Sequence, residues 1–300
     1  MPLAAFPKCY LDALTLHRTM TVEQWIDLAA DRLDVDGLEF YWGFTPFEDA
    51  NAVRALRQRM ESRGLQMPMM CCSPDFTQLD EEGRTLQIEG MRRAIETTAH
   101  LGGGFCRVLS GQKRPEITQK EGVRMASEAI QTLLPDAESC GVVLILENHY
   151  KDGYWDFPEF AQRADVFLEL LDSIPVSPWF GVNFDPSNAI IAGDDPIELL
   201  EAVKSRVVTM HASDRFFENG TLDELRQNDL HPTKGYASYL KHGVIGRGLN
   251  DYDRIFGILK NVGFQGWISI EDGDDPSVGM EHLQQSATFL RSKMKEYGLP

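Results

Sequence analysis

Short apolar runs that stop at a charge punctuate this chain. Val142–Leu146 (VVLIL) is five apolar residues in succession after Gly141. Such a run, bounded by a turn signal, predicts a strand buried on both faces, as in a parallel sheet. It ends in Glu147-Asn148-His149. Three other runs have the same form: Phe180–Phe184 ends in Asp185, Val207–Met210 in His211, and Trp267–Ile270 in Glu271. Four strands are expected upstream, near Lys8–Leu11, Gly37–Tyr41, Gln66–Met70 and Phe105–Leu109. Amphipathic spacing and cap signals place helices between them. Thr21-Val22-Glu23-Gln24 reads as a capping box opening a helix to about Asp34. Further helices are expected over Glu48–Ser62, Arg84–Leu101, Thr118–Ser139, Pro158–Ser173, Pro196–Val203, Tyr252–Val262 and Met280–Tyr297, with Gly102-Gly103-Gly104 as a helix stop.

Eight strands alternating with eight helices predict an α/β fold with a parallel sheet, since helices supply the crossovers that parallel strands need. Eight units suit a single closed (β/α)8 TIM barrel over residues 1–300, with its active site at the carboxyl ends of the strands. An open doubly wound sheet is the competing architecture. It would carry a GxGxxG turn after the first strand, and none is present; Gly246-x-Gly248 follows no strand. The connection after the seventh strand, residues 212–250, is long and is expected to cover the barrel mouth.

Composition narrows the partners. The 300 residues are 43% hydrophobic, enough for a substantial core, and the net charge is −17. So acidic a surface repels phosphate backbones, which argues against a nucleic-acid partner. No apolar run approaches the roughly 18–20 residues of a membrane span. The five cysteines form no CxxC pair and their count is odd, as expected for packed thiols of an intracellular protein. The amino-terminal stretch lacks a basic region followed by a long apolar one, so a cytoplasmic location is expected.

The candidate chemistry lies at the ends of the last four strands. Glu147, Asp185, His211 and Glu271 are separated by 38, 26 and 60 residues, and the longest gap contains the 212–250 connection. In a closed barrel these strands are neighbours along one arc, so four side chains can converge. One such charge would ordinarily be a solvated loop residue; four at equivalent places point to one divalent metal. Three carboxylates and an imidazole form a hard, oxygen-dominated set suited to Mn²⁺ first, then Mg²⁺, Co²⁺, Fe²⁺ or Zn²⁺, and unlike a Cys/His structural zinc site.

The segments LILEN ending at Asn148, FDPSN at Phe184–Asn188, TMHASD at Thr209–Asp214 and ISIEDG at Ile268–Gly273 carry a resemblance over nearly the whole chain. The order Glu, Asp, His, Glu at the ends of strands 5 to 8 resembles the xylose isomerase-like TIM-barrel superfamily, which includes ketose 3-epimerases, inosose dehydratases and endonuclease IV. The resemblance implies a divalent metal held by Glu147, Asp185, His211 and Glu271. It also implies that Glu147 and Glu271 shuttle protons on opposite faces of a sugar. Two positions depart from the epimerases: Asn188 stands where they carry a histidine, and Phe217 where they carry a substrate-holding arginine, with Arg215 close by. Asn188 and Arg215 are therefore candidate substrate-binding residues. Glu147-x-His149, continuing HYKDGYWDFPEF, is similar to catalytic subunits of C-glycoside deglycosidases, where the matching histidine is the proposed base on a 3-keto-glycoside. The alternative for His149 is a loop histidine bonded to backbone.

The expected function is a metal-dependent sugar isomerase or epimerase working through an enediolate, with Glu147, His149 and Glu271 as catalytic candidates. A 3-keto-glycoside lyase is the close alternative, and a non-catalytic metal-bound barrel the more distant one. The same site supports epimerisation, isomerisation or elimination. The expected partner is a small sugar or keto-glycoside, with a homo-oligomer or second subunit left open. Mouth loops carry Tyr41-Trp42-Gly43-Phe44, Tyr150, Tyr154-Trp155, Phe216-Phe217, Tyr236 and Tyr239, which suit sugar or aryl stacking or plain loop packing. Lys113-Arg114 could hold an anion or lie solvated. Endonuclease IV-like repair needs a histidine-rich three-zinc site, and the seven histidines here are mostly elsewhere.

Overall fold

Buried parallel strands form the centre of the structure, a computed structural model in which residues 1–221, 224, 240–273 and 275–299 are described. The barrel staves are β1 (Leu3–Ala5), β2 (Gly37–Leu38 and Phe40–Tyr41), β3 (Met69–Cys71), β4 (Phe105–Val108), β5 (Val143–Glu147), β6 (Phe180–Phe184), β7 (Val207–Ala212) and β8 (Trp267–Ile270). Each pairs in parallel with the next. The ring closes because β1 lies between β8, with Leu3 opposite Ile268, and the first segment of β2, with Ala4 opposite Gly37. The second segment of β2 turns to β3, with Phe40 opposite Met70. At the switch, Glu39 N–H donates to Ala5 O at 3.0 Å and Leu38 N–H to Gln66 O at 2.8 Å. Nine segments thus make eight staves of a (β/α)8 barrel.

Helices clothe the ring as the patterning requires. Val22–Arg32 opens on the Thr21 capping box, and Gln119–Cys140 on a second box formed by Thr118 and Glu121. Ala50–Ser62, Glu81–His100, Ala164–Asp172, Pro196–Val203, Tyr252–Asn261 and Gly279–Glu296 complete the set. Their apolar faces pack on strands whose residues are buried throughout, as in Phe180–Phe184.

Four details depart from the expectations. β1 is Leu3–Ala5, not Lys8–Leu11: Pro7 lacks a ladder donor, and Lys8–Tyr10 and Leu11–Thr15 turn into short helices. β3 begins at Met69 because Pro68 cannot extend the ladder, and Gln66 makes only an isolated bridge to Gly37. The helix expected from Pro158 starts at Ala164, which leaves residues 150–163 as a mouth loop. A short helix, Pro186–Ile191, follows β6, with the Asp185 side chain capping Ser187 and Asn188.

After β7, Arg215–Phe217 and Leu240–His242 pair antiparallel. Residues 222, 223 and 225–239, including Tyr236 and Tyr239, lie outside the described residues. Asp214 ties the ends of this connection together. Its carboxylate accepts from the N–H groups of Arg215, Gly246, Gly248 and Asn250, at 2.9, 2.9, 2.9 and 3.2 Å. Gly248 allows the close approach, since a Cβ there would sit 2.2 Å from Asp214 Oδ1 and 2.3 Å from Arg215 O.

Asp214→Ala leaves these four donors without their common acceptor and is expected to cost about 2–4 kcal/mol. Chemical denaturation measures it; a loss under about 0.5 kcal/mol would show that the connection is held by other contacts.

Candidate metal centre

The local reason for the site is the position of each charge at the end of its stave. Glu147 is the last residue of β5, Asp185 follows β6, His211 is the penultimate residue of β7, and Glu271 follows β8. The pairings of Glu147 with Asn183, and of Ser269 with His211, put these ends at one level on adjacent staves. The four side chains each offer a ligand atom, and those atoms all lie within 4.8 Å of one another. All four residues are buried.

His211 is the hub. Its Nδ1 stands 2.7 Å from Glu271 Oε2 and 3.3 Å from Glu147 Oε1. Its Nε2 stands 3.0 Å from Glu39 Oε2. Ser213 Oγ donates to Asp185 Oδ1 at 2.7 Å, and Asn188 Nδ2 donates to Glu147 Oε1 at 3.1 Å. Asn148 clamps the Asp185 backbone, donating to its O at 2.7 Å and accepting from its N–H at 2.9 Å. Two cations complete the site. Arg107 Nη1 donates to Glu147 Oε2 at 2.8 Å, and Lys8 Nζ to Glu271 Oε1 at 2.8 Å.

This packing of charge moves the pKa of all four clustered residues. Burial alone would raise Glu147, but His211 and Arg107 outweigh it and bring the carboxyl down to about 2. Burial is likewise overcome at Glu271 by Lys8 and His211, which hold it well below the carboxylate range. Asp185 goes the other way, to about 7, through burial and then the repulsion of Glu147 and Glu271. His211 is held well above its ordinary value although burial opposes its charge, because Glu147, Glu39 and Glu271 surround it.

The donor set fits a divalent cation. Glu271 Oε2 is buried with no hydrogen bond, because the His211 Nδ1 contact is close but off the hydrogen-bond direction. Ligands about 2.0–2.2 Å from a common ion stand roughly 3 Å apart, as Nδ1 and the two glutamate oxygens do. A dication would also relieve the repulsion that raises Asp185.

The remaining candidates lie in the mouth loop after β5. His149 is buried and stacks on Tyr150, ring centroids 5.1 Å apart. Its Nδ1 stands 4.0 Å from Glu159 Oε2, and neither atom has a hydrogen-bond partner. Glu159 Oε1 instead accepts from the Ser110 N–H at 2.6 Å and its hydroxyl at 2.5 Å. Burial lowers His149 to about 4 and raises Glu159 to about 8. His149 is thus a neutral imidazole facing a protonated carboxyl, not a loop histidine bonded to backbone. Arg215 is buried, with its guanidinium 5.6 Å from the Tyr150 ring centroid. Arg114 is committed to Asp75, through contacts of 2.6 and 3.0 Å, and forms no open anion cup.

Sequence reasoning missed Lys8, Glu39, Arg107 and Glu159. Glu39 and Arg107 carried a usable signal: each is a lone charge inside a buried strand, in GLEFY and FCRVL. Lys8 was hidden by the misplaced first strand. Glu159 had no local signal, since its importance comes from Ser110, 49 residues away.

Glu159→Gln keeps the acceptor for Ser110 and removes the titration. Because the folded pKa of Glu159 is raised, the native state loses stability as pH rises from about 4.5 to about 8. The variant is expected to match wild type below about pH 4 and exceed it above pH 8 in metal-free denaturation. Parallel stability curves would show that Glu159 ionises as an ordinary carboxyl.

A family model described as xylose isomerase-like TIM barrel matches residues 26–293. An inosose dehydratase of Bacillus thuringiensis (strain Al Hakam) is 25% identical over 204 residues, 66% of this chain and 63% of that protein. The match thus spans less than two thirds of that relative's length. The crystal structure of a D-tagatose 3-epimerase-like protein superposes with a TM-score of 0.75 at 18% identity, covering 99% of this chain and 98% of the other. That of the IOLI protein with a binding zinc atom does so with a TM-score of 0.75 at 17% identity, covering 99% of each. At these identities the two structures establish the fold.

Proposed function

The chain belongs to the xylose isomerase-like TIM barrel family, and from that premise we propose that it is a divalent-metal-dependent enzyme that removes the proton beside the carbonyl of a small keto-sugar or keto-polyol. The observation that carries this is the convergence of Glu147, Asp185, His211 and Glu271 on one buried point. These residues would hold the metal, Mn²⁺ being the best match to the donor set. When bound, the metal supplies Lewis-acid stabilisation of negative charge developing on the substrate oxygens.

The chain's own residues divide the remaining work. His149 is buried and neutral, and it takes the proton from carbon. Glu159, whose Oε2 stands 4.0 Å from His149 Nδ1, would orient the ring by closing that distance to a hydrogen bond. Asn188 holds Glu147 in place through its 3.1 Å hydrogen bond, and Arg215 on Tyr150 offers a cation to the substrate's oxygens. The enediolate then has three fates. Return of the proton to the same carbon from the other face gives an epimer, and transfer to the neighbouring carbon gives an isomer. Loss of a β-oxygen gives elimination: the C–H pair becomes the new C=C bond, the C–O bond breaks, and the departing oxygen takes a proton from His149.

Two readings of the outcome have support. Glu147 Oε1 and Glu271 Oε2 both face His211 Nδ1, and an epimerase would use the two as acid and base on opposite faces of the substrate. Yet each is paired with a cation and held low, which makes both weak bases. His149 is lowered too, by burial, to about 4, but it stands outside the four residues that would hold the metal and so would keep a ring nitrogen for the substrate. That asymmetry favours elimination from a keto-polyol or 3-keto-glycoside, as does the likeness to inosose dehydratase.

NMR in D₂O with Mn²⁺-loaded protein tests this, using ketohexoses, inososes and 3-keto-glycosides. Deuterium gained beside the carbonyl of recovered ketose, with an epimer or isomer, establishes the isomerase outcome. Loss of water or aglycone establishes elimination. Turnover of none of them, with metal bound, would contradict the proposal. His149→Ala is expected to lower kcat by about 10²–10⁴ with metal content unchanged; a rate near wild type removes His149 as the base. Chelation should abolish turnover and Mn²⁺ restore it, whereas activity that survives chelation would refute the metal requirement.

A further inference from the structure

Glu39 is a carboxylate buried inside the barrel wall. It sits between the two segments of β2 and is 1% exposed. A carboxylate so placed is costly unless a positive charge or strong donors meet it. Two groups do. Glu39 Oε2 lies 3.0 Å from His211 Nε2 and accepts from Cys71 Sγ at 3.5 Å. The backbone of Glu39 is fixed as well, because its N–H donates to Ala5 O where the barrel closes.

The geometry divides the two nitrogens of His211. Nδ1 faces Glu147 and Glu271, while Nε2 faces Glu39. An imidazole binds a cation through one nitrogen, with the proton on the other. A carboxylate accepting that proton selects the tautomer, fixes the ring plane and raises electron density on the ligating nitrogen.

We propose that Glu39 is a positioning residue of the metal centre, holding His211 with Nε2–H toward Glu39 and Nδ1 toward the three carboxylates. Glu39 acts only through His211. The inference rests on the metal reading given above. Closure of the barrel and orientation of the ligand then meet in one residue: the stave switch that seals the ring places the carboxylate behind His211.

Full-length wild type, Glu39→Ala and Glu39→Gln, each stripped of metal, are titrated with Mn²⁺ while electron paramagnetic resonance follows the free ion. Wild type is expected to bind one Mn²⁺. Glu39→Ala is expected to raise Kd by about 10–100-fold, and Glu39→Gln by less, since its amide oxygen still accepts from Nε2–H. NMR of ¹⁵N-histidine protein loaded with Zn²⁺ should show a slowly exchanging Nε2–H on His211 that Glu39→Ala loses. Wild-type Kd in both variants overturns the proposal. If Glu39→Ala fails to fold, Glu39→Leu, which also removes the acceptor, takes its place, and a Kd within twofold of wild type in that variant overturns the proposal. Two ions in wild type falling to one in a variant would replace it with a second cation site on Glu39, Cys71 and His211. Wild type that binds no Mn²⁺ fails at the metal reading, before any variant is compared, and the proposal falls with it.

Discussion

Three carboxylates buried around one imidazole cannot all keep their charge without a compensating cation. This constraint shapes the barrel mouth. Arg107 and Lys8 each reach one glutamate, and His211 is driven toward its charged form by the acids around it. Asp185 is pushed up to about 7, because burial and the repulsion of Glu147 and Glu271 outweigh the Ser213 hydrogen bond and the charge of His211. The surrounding structure serves the cluster: Asn148 clamps the Asp185 backbone, Ser213 and the Pro186–Ile191 helix hold its side chain, and Asn188 holds Glu147. So many fixed contacts on acidic side chains preorganise a place for positive charge.

How much of this was legible in the sequence follows from how local each signal is. The last four strands were readable because a run buried on both faces is apolar throughout, and its end is marked by the first charge. Glu147, Asp185, His211 and Glu271 fell out of that pattern. The first strand was missed because Leu3–Ala5 is three residues long and carries no period. With it went Lys8, a mouth residue misread as part of a stave. Glu39 and Arg107 were visible as charges in apolar strands, but their meaning depends on neighbours distant in sequence: His211 lies 172 residues from Glu39, and Glu147 lies 40 from Arg107. The pairing of His149 with Glu159 depends on a loop fold that no periodicity encodes.

The proposed chemistry rests on an asymmetry within the site. The two glutamates that could act as opposed acid and base are both paired with cations. His149, two residues beyond Glu147, is neutral and faces a protonated carboxyl. In the proposed reading His149 removes the proton from one face and then serves the leaving oxygen. Family membership agrees with this without fixing it, since relatives and structural neighbours include both a dehydratase and an epimerase-like protein.

The most direct measurement is anomalous diffraction from crystals soaked in Mn²⁺. One peak within bonding distance of Glu147, Asp185, His211 Nδ1 and Glu271 is the predicted result. Full soaking with no peak there, or a peak only beside Glu39 and Cys71, would contradict the account at its centre.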